Sequence, residues 1–125
     1  MREIIFRAWD KNQNKMRLDI LAIEITGGIH DNIYFREGKL LNQNDALLMQ
    51  YTGLQDKNGK KIFEGDIHTV GEKIKAVVEW DKEKCSFISV EIGNKENKSS
   101  TLYGIFLGEI IGNIHENPEL LTPNK

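Results

Sequence analysis

The sequence predicts a mainly β protein, with a small antiparallel barrel in its second half and a smaller β-rich lobe in its first half. Three observations predict this fold. Asp56-Lys57-Asn58-Gly59 has turn chemistry, because Asn and Gly tolerate positive φ and together close a two-residue reversal between extended flanks. Residues 74–81 alternate between apolar and mixed positions, as a half-exposed antiparallel strand does. Five or six short strands at this spacing after residue 50 are typical of a small barrel.

The chain begins with a predicted hairpin. Residues 4–9 alternate as a strand, residues 10–14 form a polar loop, and residues 16–25 resume an extended chain. Gly27-Gly28 is expected to end this second strand.

The segment before the central turn is less regular. Residues 33–36 form a short apolar run that ends at the turn signal Glu37-Gly38. Residues 42–51 fit either a helical turn capped by Asp45 or a buried strand, and we prefer the strand.

The second half reads as strands divided by turns. Glu64-Gly65-Asp66 is a tight turn that feeds a new strand. The later segments follow in chain order: a turn at residues 81–84, a partner strand at 85–92, a disordered polar loop at 93–100, extended chain at 102–111, and a short helix capped by Asn117 with Pro118 in its first turn. Within this half, Phe63 and Trp80 are predicted core residues.

Composition describes an ordinary cytoplasmic protein. The 125 residues are 39% hydrophobic and 29% charged, which is typical of a soluble globular chain. No apolar run is long enough for a membrane helix, and the N-terminus has no signal-peptide pattern, so we expect a cytoplasmic protein. Cys85 is the only cysteine, which excludes an intramolecular disulfide and a thiolate zinc site, and we interpret it as a small apolar residue near a hairpin.

Motifs spread along most of the chain resemble the YopX family. They are FRAWD (6–10) followed by Lys15-Met16, QYTGL (50–54), DKNGK (56–60), IFEGDI (62–67), VEW (78–80) and GNIHENPELL (112–121). The resemblance implies a small phage or prophage protein of a bacterial host, with an SH3-like β-barrel in its second half and no established biochemical activity. Phe63 departs from the family, which has Tyr there, so the resemblance implies no role for a phenolic hydroxyl at this position. On the basis of this resemblance, we divide the chain into an N-terminal lobe (1–50), an SH3-like barrel (51–121) and a tail (122–125).

The candidate chemical sites are weak. His30, His68 and His115 are not spaced as ligands on one helical face, so no metal site is expected. Glu64 and Asp66 could act as paired carboxylates, but neighbouring lysines make a solvated, charge-compensated turn the better interpretation. No catalytic residue and no cofactor are predicted. A candidate interaction surface remains around the central turn: Tyr51, Lys57, Lys60, Lys61, Glu64 and Asp66.

Three classes of function stay open. The first is a non-catalytic interaction or assembly module that engages a protein partner or forms a homo-oligomer; adjacent apolar pairs such as Ile4-Ile5, Val77-Val78 and Ile110-Ile111 favour self-association. The second is a nucleic-acid-binding barrel, which the formal net charge of −2 argues against. The third is an enzyme, for which no motif is found.

Overall fold

The computed structural model describes residues 3–25, 31–94, 96 and 108–123. The chain divides into two compact units, a smaller one of Ile4–Gln50 and a larger one of Met1–Glu3 with Tyr51–Lys125. The described chain consists of strands and one turn of 3-10 helix, which confirms a mainly β protein. Among these residues no helix has the length and apolar character needed to cross a membrane.

The described strands are short, except for β6 and β9. In chain order they are β1 (Phe6–Asp10), β2 (Lys15–Arg17), β3 (Ile20–Glu24), β4 (Asn32–Phe35), β5 (Leu41–Asn42), β6 (Ala46–Gln55), β7 (Lys61–Phe63), β8 (Asp66–Val70), β9 (Ile74–Asp81), β10 (Ser86–Glu91) and β11 (Ile110–Asn113).

The smaller unit contains two antiparallel arrangements. β1 pairs with β2 and with the first half of β6, and a second sheet has the order β3-β4-β5. The core is small and consists of Ala8, Ile33, Phe35 and Ala46. The predicted first hairpin is confirmed in β1 and β2, and the strand preferred for residues 42–51 is confirmed over residues 46–51 by β6, whereas residues 43–45 form a turn. The extended chain at 16–25 is interrupted between β2 and β3.

The second half of β6 enters the larger unit and pairs with β7. The pairs Tyr51 with Phe63 and Gln55 with Lys61 leave residues 56–60 as the reversal. The turn and its extended flanks are therefore confirmed, with Gly59 at φ +82°. The two-residue closure is wrong, because the Asp56 carboxylate binds amides within a five-residue loop.

The main sheet of the larger unit is antiparallel throughout, with the order β10-β9-β8-β11. Ala76, Val77 and Val78 are all buried at the middle of β9, so the predicted half-exposed alternation is wrong. Ala76 and Val77 have partners on both β8 and β10, and Val78 packs with Ile62 in the core of this unit, whereas Ile74 and Trp80 lie at the two ends of β9.

The two predicted core aromatics differ in outcome. Phe63 is 8% exposed and is confirmed as a core residue. Trp80 is 48% exposed, so its assignment to the core is wrong. Its ring packs edge-on against Phe87, with centroids 5.0 Å apart, at the end of β9 that only β10 covers.

One hairpin design occurs in both units. The β1–β2 and β9–β10 hairpins each have a four-residue loop, closed by Asp10 paired with Lys15 in one and Asp81 paired with Ser86 in the other. Each aspartate accepts hydrogen bonds from the amides two and three residues later. The last loop residue has positive φ, +53° at Asn14 and +50° at Cys85.

The end of the chain forms a 3-10 turn, Pro118–Leu121, where a short helix was predicted. The predicted cap is wrong: the Asn117 side chain makes no capping bond, and its Oδ1 accepts from the Asn113 amide at 3.1 Å. Gly27-Gly28, most of the polar loop at 93–100 and residues 102–107 of the predicted extended segment lie outside the described residues.

Candidate functional site

The six residues of the candidate interaction surface differ in exposure. Lys57 and Lys60 are exposed, and Lys61 and Glu64 are partly buried. Tyr51 and Asp66 are buried, at 6% and 1% exposure, so these two lie beneath the surface that the sequence assigned to them.

The central turn is held together by the buried carboxylate of Asp56. Its Oδ1 accepts from the amides of Asn58 and Lys60, each at 2.9 Å, and its Oδ2 accepts from the amide of Ile110, also at 2.9 Å. Burial raises the pKa of Asp56, but the three amides outweigh that effect and hold the pKa below its usual range. All of these contacts shape the loop or fix it to β11, so Asp56 is a structural residue.

The aromatic and acidic residues beside this turn are also occupied by folding contacts. Asp66 Oδ2 accepts from the Phe63 amide at 2.8 Å, which closes the turn between β7 and β8. The Tyr51 and Phe63 rings pack with centroids 5.6 Å apart, and Lys61 Nζ lies 5.7 Å from the Tyr51 ring centroid. Since Asp66 is buried and bound to the backbone, it does not form a solvent-facing carboxylate pair with Glu64.

His68 forms a buried polar contact in the main sheet of the larger unit. Its Nε2 lies 2.7 Å from Ser89 Oγ, and its Nδ1 lies 3.0 Å from the Thr69 carbonyl. A carbonyl can only accept, so Nδ1 carries the proton and Nε2 accepts from the Ser89 hydroxyl. Burial lowers the pKa of His68. The spacing resembles a serine–base pair, but His68 is 1% and Ser89 8% exposed, so the contact links β8 to β10 without facing a substrate.

The described residues contain no cluster of three histidine, cysteine or acidic side chains that could hold a metal ion. His115 is partly buried and its amide donates to Asn113 Oδ1 at 3.0 Å. His30 lies outside the described residues.

Arg17 is the electrostatic centre of the smaller unit, and the sequence analysis missed it. The guanidinium donates two hydrogen bonds of 2.8 Å to the Asp19 carboxylate in a bidentate fork. It also donates to the Glu37 carbonyl at 2.7 Å and lies 3.5 Å from Asp10 Oδ2. It also stacks over the Phe35 ring at 4.2 Å. The fork lowers the pKa of Asp19 to about 2 and raises that of Arg17. The signal was present as Arg-Leu-Asp, since residues two apart on extended chain share a face.

A depression of about 790 Å³ lies beside this cluster and has mixed charge. Its lining includes Lys15, Arg36 and Glu37 together with the Arg17–Asp19 pair. Because cations and anions alternate around it and Arg17 is already saturated, it presents no concentrated charge to a ligand.

The strongest unexplained surface is aliphatic and lies along β3. Ile4, Leu18 and Leu21 are 66%, 73% and 58% exposed, and with Ala22 they border a depression of about 380 Å³ lined only by aliphatic side chains and Phe6. We call these four residues the β3 patch. Among the described residues β3 pairs with β4 alone, so it is the edge of its sheet.

The local backbone explains why two successive side chains of β3 face outward. The pairing with β4 shifts register between Ile20 and Ala22, which makes Leu21 the extra residue of a bulge. Leu21 and Ala22 are consequently both exposed, while Ile20 and Ile23 are partly buried. The unbroken apolar run at residues 20–23 was the sequence signal that could have identified this surface.

Comparison with known proteins gives a family and a fold. The family model described as YopX protein matches residues 5–122. The chain is similar to the crystal structure of protein EF1440 from Enterococcus faecalis, at 27% identity and a TM-score of 0.61, over 97% of this chain and 99% of that one. No curated protein matches.

Proposed function

This chain belongs to the YopX protein family, and from that premise we propose that it is a non-catalytic interaction module that binds a protein or another copy of itself. The β3 patch carries the proposal. Contiguous exposed apolar surface on a sheet edge is a recurrent feature of protein-binding sites, because an edge strand offers both side chains and backbone groups.

The burial and hydrogen bonding of the acidic, histidine and serine side chains support the non-catalytic part of the proposal. Asp56 and Asp66 are occupied by backbone amides, and the His68–Ser89 contact is buried. A general base must reach the proton that it abstracts, and these groups lie beneath the surface.

Nucleic acid is the alternative partner. Lys57 and Lys60 are exposed on one loop, and Trp80 is a half-exposed aromatic that could stack on a base. Against this, the formal net charge is −2, and the β3 patch contains no basic residue. Phosphate binding depends on positive charge, so the protein partner is favoured.

The family resemblance extends the proposal to setting and architecture. We propose that residues 51–121 form an SH3-like barrel and that the protein acts in the cytoplasm of a bacterial host that carries the phage or prophage. The four antiparallel strands of the main sheet, together with β7, support the barrel.

Affinity capture from phage-bearing cells, with nuclease treatment, tests the proposed function. The wild-type protein should retain a defined protein or itself, and Leu18→Glu should lose it, whereas Ile74→Glu should retain it. Leu18 and Ile74 are both exposed aliphatic residues, so this pair separates the β3 patch from general surface effects. Tight binding to single-stranded nucleic acid at about 50 mM salt that falls steeply with added salt would instead favour the alternative.

A further inference from the structure

We propose that the partner at the β3 patch is a second copy of this chain, joined about a two-fold axis through β3. The inference rests on the proposed interaction function and names its partner. Both β3 strands would then run antiparallel and pair at the edge that, among the described residues, hydrogen-bonds to no strand other than β4 and lies near β1.

The shape of the patch favours a copy of itself. A two-fold contact uses the same surface on both sides, so that surface must carry both a projection and a recess. The β3 patch has both: Leu18 and Leu21 project into solvent at its rim, and the aliphatic depression lies beside them. Each copy can therefore place its leucines in the depression of the other.

The chemistry of the edge points the same way. β3 has neither lysine nor proline, two of the residues that protect edge strands, and its single charge is Glu24 at the end. Its short length and its bulge limit pairing at this edge only in part. The bulge at Leu21 disturbs pairing with β4 but presents its side chain outward. A surface without charge is complementary to an identical surface, whereas an acidic or basic partner would find no counter-charge.

The available area lies at the lower limit for a specific pair. Ile4, Leu18 and Leu21, together with Ile25 at 79% exposure just beyond β3, leave a large fraction of four aliphatic residues in water. At roughly 180 Å² for each fully exposed residue, complete burial of all four would contribute about 500 Å² per copy and about 1,000 Å² per pair, which is the minimum for a specific interface. Backbone pairing along β3 adds to this area.

Sedimentation velocity and light scattering at tens to hundreds of micromolar protein test the inference. The wild type should shift from 14.3 kDa towards twice that mass as concentration rises. Leu21→Glu should weaken association by at least about tenfold, because it buries two charges at the axis. Ile74→Glu, an equally drastic change on another exposed strand residue, should associate as the wild type does.

A cross-linking experiment locates the axis. In a Cys85→Ser background the chain has no cysteine, so Ala22→Cys supplies a single thiol at the middle of β3. A short bis-maleimide should link two Ala22→Cys chains efficiently and two Ile74→Cys chains poorly. Equal yields from the two variants would overturn the β3 contact.

The outcomes distinguish the inference from the function on which it rests. A wild-type mass that stays at 14.3 kDa at the highest concentration overturns the second copy. If a captured protein is then lost in Leu18→Glu, the interaction function survives with a different partner. If capture also finds nothing that depends on Leu18, both proposals fail. Circular dichroism shows whether Leu21→Glu remains folded. If it does not, Leu18→Glu, which lies outside the strands, is used as the second variant in the association measurements.

Discussion

Replacing Asp56 should destabilise the larger unit by several kcal/mol. The residue is 7% exposed, and its two oxygens accept from Asn58, Lys60 and Ile110. The bond to Ile110 spans 54 residues of sequence, so Asp56 ties the central turn to β11.

The geometry sets the size of the effect. Asp56→Asn keeps one acceptor oxygen, and its amide nitrogen must then face at least one backbone N–H. One charge-assisted bond is lost and a partly buried donor is left without an acceptor, which costs about 2–3 kcal/mol. Asp56→Ala removes all three bonds, but the amides of the exposed residues Asn58 and Lys60 can bind water. We therefore expect a cost of about 3–4 kcal/mol, slightly above that of the amide.

The pH dependence gives an independent signature. The pKa of Asp56 is lower in the folded protein than the ordinary value of about 3.9 in an unfolded chain. Its contribution is therefore complete above that ordinary value and is lost as pH falls through the folded pKa. The stability difference between the wild type and Asp56→Asn should shrink below about pH 4, and the other carboxylates cancel because both proteins contain them.

Urea unfolding of the wild type and the variants at pH 7, and at several values below 4, measures both quantities. Glu72→Gln is the control, because Glu72 is exposed and its neutralisation should change stability by less than about 0.5 kcal/mol. An Asp56→Asn cost as small as that of the control, or one that stays constant into acid, would refute the structural role of this carboxylate.

Substitutions at Cys85, His68 and Trp80, each with a matched comparison variant, test other parts of the fold. Cys85→Gly should raise the melting temperature, because relief of the positive φ of +50° at Cys85 adds about 0.5–1 kcal/mol to the free energy of unfolding, and Cys85→Ala should not. Burial holds the pKa of His68 below its unfolded value of about 6.5. The contribution of neutral His68 to stability is therefore complete above that pH and is lost as pH falls towards the folded pKa. In urea titrations, His68→Gln should flatten this pH dependence, and His115→Gln should not. Trp80→Ala should cost about 1–2 kcal/mol in denaturant unfolding, against about 3–5 for the buried Phe63→Ala.

Each of these has a contradicting result. Equal melting temperatures for glycine and alanine at Cys85 would mean that backbone conformation does not limit the β9–β10 hairpin. Unchanged pH dependence in His68→Gln would place the acid sensitivity elsewhere. Equal costs for Trp80→Ala and Phe63→Ala would show that the Trp80–Phe87 contact is as strong as core packing.

The sequence predicted local structure well, because turn residues and alternation act over a few positions. Gly59 in the central turn and the strand through residues 46–51 follow from such short-range rules. Burial of β9 did not follow, because Ala76, Val77 and Val78 lie at its middle, where neighbouring strands and the core residue Ile62 cover them, and Trp80 lies near its end. Alternation cannot reveal how far neighbouring strands overlap.

The candidate site was harder to predict for the same reason. Leu18 and Leu21 look like ordinary core residues in the sequence, and only the edge position of β3 and the bulge expose them. Arg17 combines a local partner, Asp19, with the Glu37 carbonyl twenty residues away. Long-range pairing decides the exposure of Leu21 and the contact between Arg17 and Glu37.

The most distinctive segment of the sequence, residues 49–67, therefore has a different meaning from the one its specificity favours. Asp56, Gly59 and Asp66 perform tasks that few residue types can perform, namely bonding several amides from beneath the surface or adopting positive φ. Such positions restrict the sequence for the sake of the fold, and a partner that bound there would have to compete with those contacts. The β3 patch is restricted only to being aliphatic, which makes it inconspicuous in the sequence yet suitable for a non-directional, self-complementary contact.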